Sequence, residues 1–142
     1  MKHRFYQSLL MTLFLASSGV TAQDLLLIAN VPDGSQFSED YAWSLLRGDK
    51  KNWDGGIGAQ VALPSRKSQN YNEIAQTLLG FSGKSMQRLW FRLVFSGRVN
   101  PPTYLDSDAD IVRFVMETEG AVALITQSKS DMSDLITIKI AP

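Results

Sequence analysis

Residues 24–31 (DLLLIANV) most narrow the folds open to this chain. They form a continuous apolar run of strand length, stopped by Pro32-Asp33-Gly34, a strong turn signal. A strand with one wet face alternates apolar and polar residues. A strand apolar on both faces must be covered on both, which is the condition met when helices pack against each side of a sheet. An α/β fold is therefore predicted. With 44% of its 142 residues hydrophobic, the chain can bury the core of one ordinary domain.

Local signals further along predict the order β-α-β-α-α-α-β-β. Ser38 is a good N-cap, Glu39 and Asp40 follow it, and Gly48 marks the far end of a first helix whose apolar face holds Tyr41, Ala42, Leu45 and Leu46. Residues 49–58 (DKKNWDGGIG) read as a polar loop around Trp53, and 59–63 as a strand stopped by Pro64. Helices are predicted over 71–79, closed by Gly80, and over 85–95, closed by Gly97 with Pro101-Pro102 barring its resumption. Ser107 caps a fourth helix, with Asp110 three residues on in a capping-box arrangement and Gly120 at the far end. Residues 121–125 and 135–140 read as strands, the second alternating. The expected architecture is a single small mixed sheet flanked by helices.

The first 22 residues carry the marks of an export signal: Lys2 and Arg4, then the short apolar stretch 9–16, then Val20-Thr21-Ala22 at the cleavage position. The apolar stretch is shorter than the roughly 20 residues a membrane span needs. Cleavage after Ala22 leaves 142 − 22 = 120 residues, 23–142, as one periplasmic domain with no membrane span. That segment takes two basic residues with it, so 12 basic and 14 acidic side chains remain, a net charge of −2. Such a balance argues against a nucleic-acid partner. The segment also contains His3, the only histidine, and the chain has no cysteine. Imidazole- and thiolate-based catalysis and metal binding are thereby excluded from the mature domain, and neither an enzyme nor a cofactor is expected.

Several local patterns resemble phosphate-type periplasmic substrate-binding proteins. Residues 46–55 (LRGDKKNWDG) are similar to that family's segment of helix end, glycine, basic loop and Asn-Trp-Asp. Residues 90–97 (WFRLVFSG) with Pro101-Pro102, and then 110–125 (DIVRFVMETEGAVALI), resemble the later part of its short members. The resemblance spans residues 24–125 and implies one lobe of a type 2 periplasmic binding protein, associated with an ABC transporter. Full-length receptors clamp the anion between two lobes, and 120 residues leave room for one. The family's Ser-Gly-Thr turn corresponds to residues 65–70 here, with Ser68 at the serine position and Gln69-Asn70 in place of Gly-Thr. At most weak binding of an anion such as phosphate is expected. The alternative is a periplasmic interaction or assembly component, self-associating or bound to another protein, that uses the lobe as a scaffold.

Two groups of residues are candidates for contact. Ser65, Arg66, Lys67, Ser68 and Asn70 precede a predicted helix, where unpaired N–H groups favour an anion; alternatively Ser68 or Asn70 only caps that helix. On the helix over 85–95, Met86, Leu89, Trp90, Leu93 and Val94 make an apolar stripe opposite Lys84, Arg88 and Arg92. Phe91 and Phe95 fall beside the basic stripe. They are expected to pack under the Pro101-Pro102 segment, the alternative being that Arg88, Phe91, Arg92 and Phe95, with Trp53, meet a partner. Trp53 is expected to fold back over its own domain. Asp106 to Glu117 imitates a calcium loop, but Ile111 stands where that loop needs glycine, so no metal is assigned.

Overall fold

The computed structural model describes residues 25–126 and 131–140; the expected signal segment at 1–22 lies outside them. The fold is α/β, with one mixed five-stranded sheet in the order β3-β2-β4-β1-β5 and four flanking helices. In chain order these are β1 (Leu25–Ala29), α1 (Glu39–Leu46), β2 (Gln60–Pro64), α2 (Tyr71–Leu79), α3 (Gly83–Phe95), β3 (Thr103–Leu105), α4 (Asp108–Glu117), β4 (Ala121–Ile125) and β5 (Ile136–Ile140). β2 runs parallel to β3 and β4, whereas β1 lies antiparallel between β4 and β5.

The apolar β1 is buried from both sides, as its composition requires. Leu25, Leu27 and Ala29 face a core shared with Val61, Leu63, Val122, Leu124 and helices α1, α2 and α3. Ile28 faces the opposite core, where α4 contributes Ile111, Val112 and Val115 against Ala62, Ala121, Ala123 and Ile125. Three helices thus cover one face and a single helix the other. β5 closes the sheet as an edge, and its alternating intermediate and exposed residues match a strand with one wetter side. No helix among the described residues is long and apolar enough to cross a membrane.

Two local expectations need correction. The observed order contains β3, which the sequence pattern did not show, because three residues are too few to display a period of two. Ser107 caps α4 by accepting the Asp110 N–H at 3.2 Å, but the Asp110 carboxylate turns to Arg113, so only half of the capping box forms. Ser107→Ala is expected to cost about 1 kcal/mol, read as a lower urea midpoint at constant slope. An unchanged midpoint would show that Asp108 and Asp110 stabilise this helix end without the hydroxyl.

Candidate functional site

Because β2, β3 and β4 are mutually parallel, their carboxyl ends lie at one edge of the sheet. The chain leaves β2 for α2 on the three-helix face and leaves β3 for α4 on the opposite face. Connections that depart to opposite faces open a crevice outside the strand ends, the common ligand position in open α/β sheets. Here it is a polar cleft of about 490 Å³ lined by Lys67, Ser68, Gln69, Asn70, Asp106, Ser107, Asp108 and Thr126.

Hydrogen bonds tie its walls together. The Asn70 amide Nδ2 donates to Thr126 Oγ1 at 3.1 Å. Asp108 Oδ2 accepts the Thr126 N–H at 3.0 Å and its hydroxyl at 2.7 Å. On the far side, Ser65 Oγ donates to Asp106 and accepts the Lys67 N–H. Neither proposed cap serves α2: the Asn70 side chain makes no capping bond, and Ser68 Oγ accepts the Asn70 N–H. Helices α1, α3 and α4 are each capped by a serine hydroxyl, so among the helices of the described residues α2 alone opens an uncapped N-terminus toward the cleft. The electrostatics are mixed. Lys67 and the helix end attract an anion, while Asp106 and Asp108 repel it.

The five residues proposed for the anion therefore separate. Lys67, Ser68 and Asn70 line the cleft. Ser65 is taken up by Asp106, and Arg66 turns away so that its Nε donates to Gln87 Oε1 on α3 at 3.2 Å. Between them lies a shallow hollow bounded by Tyr104, whose phenol is held above its ordinary pKa by burial and then by neighbouring Tyr71. Asp106, Asp108 and Thr126 were missed from the sequence as cleft residues. Their signal is positional, since each follows a parallel strand, and it emerges only once the strands are paired.

The second group also divides. Trp53 leaves the partner-facing set: its ring is 1% exposed and stacks against Tyr41, and its indole N–H donates to Gly120 O at 2.9 Å. Phe91 and Phe95 do not pack under the Pro101-Pro102 segment. They are 62% and 76% exposed, with ring centroids 4.4 Å apart. The apolar stripe turns inward as predicted, with Met86 and Trp90 buried and Leu89, Leu93 and Val94 half-buried. Beside the phenylalanines runs a groove of about 900 Å³ lined by Arg66, Phe81, Lys84, Ser85, Gln87, Arg88, Leu89, Phe91 and Arg92. Full burial of a phenylalanine side chain is worth about 1.5–3 kcal/mol, so leaving two on one helix face forgoes appreciable stability.

Comparisons with known protein families, with curated proteins and with solved structures return no match. The likeness to phosphate-type binding proteins thus rests on local residue patterns.

Proposed function

We propose that this chain is an exported, non-catalytic binding module of the periplasm, a single lobe that holds a small anion such as phosphate weakly at the carboxyl ends of β2, β3 and β4. The observation that carries the reading is the polar cleft where the uncapped end of α2 meets Lys67, Ser68 and Asn70. Supporting a non-catalytic role, the chain has no cysteine and its one histidine lies in the expected signal segment. A single lobe touches the anion from one side and leaves water on the other. Asp106 and Asp108 further reduce its attraction. Tight capture, as in a transport receptor, then requires a second lobe from a partner or another copy.

Calorimetric titration and thermal-shift measurements with phosphate and sulfate test this. Dissociation constants of roughly 1 mM, or about −4 kcal/mol, are expected. Lys67→Glu is expected to abolish the signal while leaving the circular dichroism unchanged. Absence of both heat and thermal shift with either anion refutes the reading, as does binding indifferent to Lys67→Glu.

A further inference from the structure

The exposed face of α3 shares no lining residue with the cleft and has its own chemistry. Phe91 and Phe95 stand exposed and in mutual contact, Phe91 on the wall of the groove and Phe95 beside it. Among the described residues, four cations line that groove, Arg66, Lys84, Arg88 and Arg92, and no carboxylate does. Lys84, Arg88 and Arg92 form no salt bridge with a described residue. A chain of net charge −2 after the expected cleavage has thus gathered unneutralised positive charge around exposed aromatic rings. Aromatic and arginine side chains together are the composition of interface anchors.

We propose that this groove docks an acidic amphipathic helix of another protein, its apolar stripe on Phe91 and Phe95 and its carboxylates on Lys84, Arg88 and Arg92. Charge and spacing select this occupant. The three cations recur every four residues, about 6 Å apart along the helix axis, the same interval that carboxylates at i and i+4 present on a partner helix. The segments of this chain beyond the described residues do not suit the groove. Residues 1–24 bring Lys2 and Arg4 against one acid, Asp24, and 127–130 (QSKS) and 141–142 bring no acid. An anionic bilayer meets the charge requirement but not the shape, since a concave groove between side chains receives a ridge better than a plane.

The test uses the mature chain and a fluorescently labelled synthetic helix bearing glutamate at every fourth position beside a leucine stripe. Controls carry lysine for glutamate, or serine for leucine. Fluorescence anisotropy is expected to show saturable binding of the acidic helix, weakened about tenfold or more by either control change. The Arg88→Glu/Arg92→Glu protein is expected to lose the acidic helix and accept the lysine version, a charge swap that unfolding cannot mimic. Phe91→Ser/Phe95→Ser is expected to weaken binding with an unchanged Tm. No binding of the acidic helix, equal binding of the lysine control, or variants that bind like the parent protein each overturn the proposal. So does preferential adsorption to phosphatidylglycerol–phosphatidylcholine vesicles, or a dimer in sedimentation that disappears with the same substitutions.

Discussion

Trp53→Ala is expected to remove about 3–5 kcal/mol of stability, a substantial fraction of the roughly 5–15 kcal/mol that holds an ordinary domain folded. The ring is fully enclosed, so its loss combines the transfer free energy of a large side chain with the cavity it leaves. It also organises the 49–58 loop. Tyr41 stacks on it at a centroid distance of 6.1 Å, the Tyr41 hydroxyl donates to Asn52 O at 2.8 Å, and Lys50 sits 4.5 Å above the Tyr41 ring. Trp53→Phe keeps most of the volume and loses the indole N–H. Gly120 O still accepts the Gln60 N–H at 3.0 Å, so that carbonyl is not stranded and a loss of only about 1 kcal/mol follows. Urea unfolding of the three proteins checks the order. Equal midpoints for the alanine and phenylalanine variants would mean that the hydrogen bond, and not the packed ring, holds the loop.

The second large effect is expected at the other end of that hydrogen bond. Gly120 has φ of +82°, and a Cβ there would stand 2.9 Å from Gly58 O and 3.5 Å from the Trp53 indole nitrogen. The first obstacle is backbone and cannot swing aside. Gly120 cannot retreat either, because its N–H donates to Asn30 O at 2.8 Å and its carbonyl is held by Gln60 and Trp53. Left-handed strain and overpacking together put Gly120→Ala at about 2–4 kcal/mol. Gly80 supplies the control, since its φ is +75° with nothing within 4 Å of a Cβ. Gly80→Ala should show the strain alone, about 1 kcal/mol. Similar urea midpoints for the two variants would refute the clash with Gly58. A Trp53→Ala/Gly120→Ala double variant should lose less than the sum, because removing the indole releases one of the bonds that hold Gly120 against Gly58 O.

Several parts of the molecule were written in short stretches of residues. The burial of Leu25 to Ala29 on both faces, the serine caps at Ser38 and Ser107, and the helix ends near Gly48, Gly80 and Gly97 all agree with local signals. These depend on side-chain periodicity, on a hydroxyl reaching an N–H three residues away, and on backbone angles that glycine tolerates. The anion candidates at 65–70 were legible for the same reason, as polar residues in front of a helix. Their division between cleft and α3 was not, because it turns on Asp106 and Gln87, 41 and 21 residues away from Ser65 and Arg66.

Local chemistry therefore settles where this backbone can be helix and which apolar runs can serve as strands, through side-chain period, caps and torsions. The strand hydrogen bonds come instead from distant partners, and the short β3 shows itself only once it pairs with β2. Strand order is what assembles the cleft, by setting β2 between β3 and β4 so that Asn70 meets Thr126 across 56 residues. The same packing sends Trp53 inward and leaves Phe91 and Phe95 outside. An aromatic ring is equally apolar in either place, and only the shape of the surface that remains after the sheet and helices have closed decides which ring finds cover.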